Sequence, residues 1–183
     1  MAQTRRVTSY RPRRDRLPLD AEALERLALA YAGRYATSRD SLRRYLLRKL
    51  RECGWAGSGE PPDGAIANRF VELGYVDDRE VAEARGRSLA RRGYGARRLA
   101  GTLDALGIAE EDAAPALAIA TEDGWDIAMR FAERRRFGPF ATVSADEAGR
   151  RRAFAAMMRA GHRPDHARKI IAAAPGVVPL RDE

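Results

Sequence analysis

Residues 70–108 read FVELGYVDDREVAEARGRSLARRGYGARRLAGTLDALGI, and their punctuation decides the fold. Asp77 and Glu80 stand three apart just ahead of an apolar run, the spacing of a helix-capping pair. The helix they open runs to about Gly93. After the turn Gly93-Tyr94-Gly95 a second helix spans 95–106, with Leu99, Leu103 and Leu106 on one face and Gly107 as its stop.

The same alternation of helix and stop extends in both directions. Upstream, 20–34 carries Leu24, Leu27 and Tyr31 on one face. Thr37 with Asp40 opens the next helix, whose stripe is Leu42, Leu46 and Leu50 and whose stop is Gly54. The stretch 54–64, GWAGSGEPPDG, is a loop. A third helix, 64–73, turns Ile66, Phe70 and Leu73 inward and ends at Gly74. Downstream, 109–121 buries Ala113, Leu117 and Ala120, and 124–136 carries Ile127 and Phe131. Ser144 with Glu147 starts a helix to Ala160, stopped by Gly161; the last, 163–174, turns Ala167, Ile170 and Ile171 inward.

These nine helices have a period. The glycines that end the middle helix of each trio, Gly54, Gly107 and Gly161, lie 53 and 54 residues apart. Each precedes a residue able to plug a core: Trp55, Ile108 and His162. The reading is an all-α chain of three tandem three-helix repeats forming an elongated, curved array. Repeat 1 covers 19–76 with the 54–64 loop, repeat 2 covers 77–122 and repeat 3 covers 123–174; a basic arm (1–18) and a short tail (175–183) flank them. One compact helical bundle is the alternative. An elongated array suits a long partner surface better than a deep pocket.

Composition agrees and excludes several classes. Val, Ile and Thr number only 19 of 183 residues, too few for a substantial sheet. The longest uncharged run, Ile170 to Leu180, is too short to span a bilayer and holds Pro175, Gly176 and Pro179. No apolar segment follows the first arginines, so a secretory signal is not expected. Cys53, the single cysteine, excludes an intramolecular disulfide and a cysteine-cluster zinc site, and a cytosolic monomer is expected. Of the net charge of +8, the arm carries +5, from six arginines against Asp15. Broken by Pro12 and Pro18, it reads as a disordered basic segment that either touches nucleic acid or stays solvated.

Each chemical constellation fails for want of parts. Gly54 and Gly59 have the gap of a phosphate-binding loop, but Glu60 and Pro61 stand where a lysine and a hydroxyl are needed. His162 and His166 are four apart, yet Pro164 intervenes and no third ligand is evident, so packing and helix-start roles are preferred to metal. Asp77 and Asp78 diverge at a helix start and read as caps. Cys53 reads as core filler. No catalytic residue, metal or cofactor is expected.

What remains is arginine. Clusters stand at Arg43, Arg44 and Arg48; at Arg91, Arg92, Arg97 and Arg98; at Arg134, Arg135 and Arg136; and at Arg150 to Arg152. The second gathers four guanidinium groups around one corner, with Tyr94 for stacking or packing. Guanidinium is a fork that grips phosphate or carboxylate with two parallel bonds. The plain alternative is an arginine-rich chain that uses arginine wherever another chain would use lysine.

The segment 70–108 resembles the RecX regulators of bacterial recombination, above all in LGYVDD (73–78) and RRGYGARRL (91–99). RFAERRRFG (130–138) and AFAAMMRAGHRPDHARKII (153–171) are similar to later parts of that family. The longer 54–64 loop and the arginine-rich arm depart from it. The resemblance implies three tandem three-helix repeats and binding to the RecA filament on single-stranded DNA, damping ATP hydrolysis and strand exchange. The contact residues expected on that reading are the first three arginine clusters with Tyr94 and Arg151. The rival is a helical DNA-binding or transcriptional module acting without recombinase. Against it, 109–121 carries three acids and no base, ill suited to a major groove.

Overall fold

A computed structural model describes residues 17–181. The expectation of a disordered arm concerns residues that, apart from Leu17 and Pro18, lie outside this range. Among the described residues there are nine α-helices, one short 3-10 turn and no strand beyond an isolated bridge between Leu19 and Trp55.

The helices are α1 (Ala21–Ala32), α2 (Arg39–Cys53), α3 (Asp63–Glu72), α4 (Asp78–Arg91), α5 (Ala96–Ala105), α6 (Glu110–Glu122), α7 (Gly124–Arg135), α8 (Glu147–Arg159) and α9 (Pro164–Ala172). Side chains open four of them: Asp20, Ser38, Asp77 and Asp146 each accept a hydrogen bond from a first-turn amide. Asp77 is the expected cap. Ser38 and Asp146 replace the expected Thr37 and Ser144. Leu73, expected inward, is exposed because α3 ends at Glu72 and the chain turns away. Leu106 and Ile171, also expected inward, are only partly buried. The turn Gly138–Phe140 was not expected.

Buried apolar residues fall into three clusters, each drawn from three consecutive helices. The first joins Leu24, Ala28, Leu42, Leu46, Ile66, Phe70 and Val76 of α1–α3 and the turn after them. In the second, Val81 and Leu89 of α4 meet Leu99 and Leu103 of α5 and the alanine face of α6, with Ile108 closing the turn. The third sets Trp125 and Phe131 of α7 against Met157 of α8 and Ala167 and Ile170 of α9. The three stop glycines all have positive φ, 88° at Gly54, 68° at Gly107 and 89° at Gly161. Of the residues after them, Ile108 and His162 are buried, and Trp55 is half-buried over the first cluster.

Two junctions join the trios. At the first, the Ser38 hydroxyl donates to the Leu106 carbonyl (2.6 Å), and the Arg39 amide donates to Asp78 Oδ1 (2.7 Å). Burial holds the Asp78 carboxyl above its ordinary range. At the second, the Gly95 amide donates to the Ala160 carbonyl (2.9 Å) and the Arg97 amide to that of Gly161 (3.3 Å). A Cβ on Gly95 would lie 2.4 Å from the Gly161 carbonyl oxygen, so only a hydrogen fits between these two turns. Among the described residues no helix is long and apolar enough to cross a membrane.

Candidate functional site

The corner between α4 and α5 is held by its backbone. The Tyr94 amide donates to the Leu89 carbonyl near the end of α4 (3.0 Å), while the next amide reaches the Ala160 carbonyl just past α8. Tyr94 is half-buried and packs on both the second and the third core, with its ring 6.3 Å from that of Phe131. The outer side of the ring carries cations: Arg92 and Arg98 lie 5.6 and 6.0 Å from its centroid. Arg91 and Arg97 are exposed beside them. Tyr94 is therefore a structural post between two cores that also steadies two guanidinium groups.

The four arginine clusters differ in what already neutralises them. Arg43 pairs with the buried Asp63 (2.9 Å), Arg44 with Asp40 (3.4 Å), Arg48 with Glu52 (3.8 Å) and Arg151 with Glu147 (2.9 Å). The hydrogen bond to Asp63 raises the Arg43 pKa further, so this guanidinium serves the fold as well as the surface. By contrast, among the described residues no carboxylate stands within 4.0 Å of Arg91, Arg92, Arg97, Arg98, Arg134, Arg135 or Arg136. Arg135 lies 5.7 Å from the Phe131 ring centroid. Arg136 caps α7 in the left-handed region, at φ 56°, and lines a groove of about 550 Å³ with Arg150 and Arg152. The 134–136 triple is thus split over the surface, as consecutive helical residues must be.

Three arginines outside the expected set join the 91–98 corner. Arg97 and Arg98 line a shallow groove of about 690 Å³ together with Arg85, Thr102, Met158 and Arg159. At the first junction a second groove, about 520 Å³, carries Arg34, Tyr35, Ser41 and Ser88. Arg85 and Leu106 line both, so the two grooves meet, and no Asp or Glu lines either. The sequence holds a signal for this. Arg34, Arg85, Arg97, Arg98 and Arg159 have no acid three or four residues away on either side, whereas the paired Arg44, Arg48 and Arg151 each have one four away.

The two histidines serve packing. His162 is buried, its ring centroid 5.2 Å from that of Phe131, and burial lowers its pKa to about 4. His166 stands edge-on to Trp125 at 5.4 Å, and burial lowers its pKa too. Among the described residues no three His, Cys, Asp or Glu side chains gather in a way that could hold a metal ion.

No family model matches the chain. Over 156 residues it is 33% identical to the Regulatory protein RecX of Myxococcus xanthus (strain DK1622), spanning 81% of this chain and 83% of that relative. The chain belongs to the RecX family. A second RecX, the Regulatory protein RecX of Agrobacterium fabrum (strain C58 / ATCC 33970), is 34% identical over 137 residues, 72% of each chain. The all-α fold agrees with the crystal structure of RecX from Lactobacillus salivarius, with a TM-score of 0.59 over 82% of this chain and 94% of that one. At 20% identity that likeness speaks for the fold alone. Both sequence relatives are named as regulatory proteins, which places a regulatory role on this RecX member.

Proposed function

We propose that this chain is a non-enzymatic regulator that binds the RecA filament on single-stranded DNA and modulates, mostly by inhibiting, its ATPase and strand-exchange activities. The observation that carries this reading is the arginine corner of 91–98, carboxylate-free and fixed by the backbone bonds of the second junction. Guanidinium groups without an internal carboxylate are available to carboxylates or phosphates outside the chain, and holding them in place beforehand lowers the entropy lost on contact. Several modest contacts spread over three trios add through high effective concentration. A body bound across neighbouring protomers favours one filament state and so opposes the rearrangements that hydrolysis and strand exchange need.

Retention of the chain on RecA–single-stranded DNA filaments at moderate salt, beside recombinase alone and DNA alone, tests the reading. Retention on the filament above either component is expected; no retention at micromolar concentrations overturns it. Replacing Arg97 and Arg98 by Ala is expected to weaken inhibition with helical content unchanged. Unaltered inhibition by that variant moves the contact to another face.

A further inference from the structure

Five arginines with no carboxylate partner among the described residues line two grooves that meet. The groove at the first junction offers Arg34, the groove at the second offers Arg97, Arg98 and Arg159, and Arg85 stands where the two meet. All five are exposed, and among the described residues none has a carboxylate within 4.0 Å. The recess therefore crosses both junctions with one sign of charge and no internal anion to balance it. Such a run raises the local concentration of anions and favours a ligand whose own charges repeat along its length.

We propose that this recess is a track for one strand of single-stranded nucleic acid, its phosphates held by Arg34, Arg85, Arg97, Arg98 and Arg159. Ser88 supplies a hydroxyl along the same wall. Tyr35, 53% exposed at the Arg34 end, offers an open ring face on which a base can stack. A flexible strand can follow a recess between helices, whereas a duplex is stiff over about 150 base pairs and meets only the rims. An acidic protein segment would use the same charges but would also need pockets for apolar anchors. The groove at the second junction is instead floored by arginines, glycines and short side chains, with Met158 and Leu106 its large apolar residues.

The inference deepens the filament reading, since it assigns the strand to one face, but its test uses no recombinase. Binding of the full chain to fluorescein-labelled dT20 is followed by anisotropy from low to physiological salt. Each phosphate contact contributes about 0.7 to the slope of log affinity against log salt. The variant R85Q/R97Q/R98Q/R159Q is expected to flatten the slope by about 3, and R85Q or R159Q alone by about 0.7 each. The control R44Q/R48Q/R151Q, which removes arginines with internal partners, leaves the slope unchanged. The six arginines of the arm are present in every variant, so the differences report the track. Tyr35→Ala is expected to weaken binding about fivefold or more. Circular dichroism confirms that each variant is folded, and the single substitutions decide the matter where the quadruple one is not. No binding of dT20 at low salt overturns the track. So does a slope equal in wild type and in R85Q and R159Q, equal or tighter binding of a 20-base-pair duplex, or equal competition by poly-glutamate of matched charge. If filament retention fails while these oligonucleotide results hold, the strand track stands and the recombinase reading falls.

Discussion

The backbone of Gly161 lies against the backbone of Arg98: a Cβ built on Gly161 would stand 2.3 Å from the Arg98 nitrogen. One atom more at the turn between α8 and α9 would thus push on the first turn of α5, where the arginine corner begins.

Gly161→Ala is accordingly expected to destabilise the protein by about 3 kcal/mol, from a left-handed φ that alanine disfavours and from a contact that only backbone movement relieves. For a chain of this size the melting temperature should fall by about 6–12 °C. Gly74, at φ 73° with open space around its Cβ position, is the control. Gly74→Ala should cost only the conformational part, about 1 kcal/mol. Equal losses for the two variants would show that the approach to Arg98 contributes nothing.

His162 makes stability depend on pH. Its pKa, lowered by burial to about 4, stands against an ordinary value of 6.5 in the unfolded chain. Between those values the unfolded chain takes up a proton that the folded chain refuses, so stability is full above pH 6.5 and is lost as pH falls toward 4. The loss attributable to this residue is about 2 kcal/mol by pH 5 and about 3 kcal/mol once complete. Urea denaturation of wild type and His162→Phe at pH 7.5 and pH 5 measures it. A variant that loses as much as wild type between the two pH values would assign the effect to other groups.

Ser38, fully buried, has two tasks: it caps α2 and donates to Leu106 across the first junction. Ser38→Ala is expected to cost about 2 kcal/mol, or roughly 4–8 °C, by removing the cap and leaving the Leu106 carbonyl without that donor. Ser144→Ala, at the exposed position where a cap was expected, should stay within about 0.5 kcal/mol because Asp146 does the capping. Thermal melts of both variants settle which serine holds a helix.

Much of this architecture was legible because it is local. A glycine at positive φ ends a helix whatever surrounds it, so Gly54, Gly107 and Gly161 could be read from spacing alone. Asp77 caps α4 within three residues of itself. One of the two misread caps was not a local choice. Ser38 is chosen over Thr37 by a partner 68 positions away, a contact absent from any window of the sequence. The turn Gly138–Phe140 depends on Gly138 sitting against the backbone of Ile170, which is also distant in sequence. For the site, charge runs drew the eye to Arg43, Arg44 and Arg48, which the fold neutralises, and away from the isolated Arg34, Arg85 and Arg159. Run length reports composition; the missing acid at helical spacing reports availability.

The two junctions are not alike, because Tyr94 packs on the second and third cores while, among the described residues, no side chain is shared between the first and second. A tyrosine common to two cores couples their melting, so α4–α9 should open as one cooperative block. The first trio, joined by a few polar bonds, can loosen earlier and by itself. In amide exchange the protein would then show two tiers of protection, with the slower tier beginning at α4. Bending under load would concentrate near Ser38 and Leu106, a soft end next to a stiff remainder.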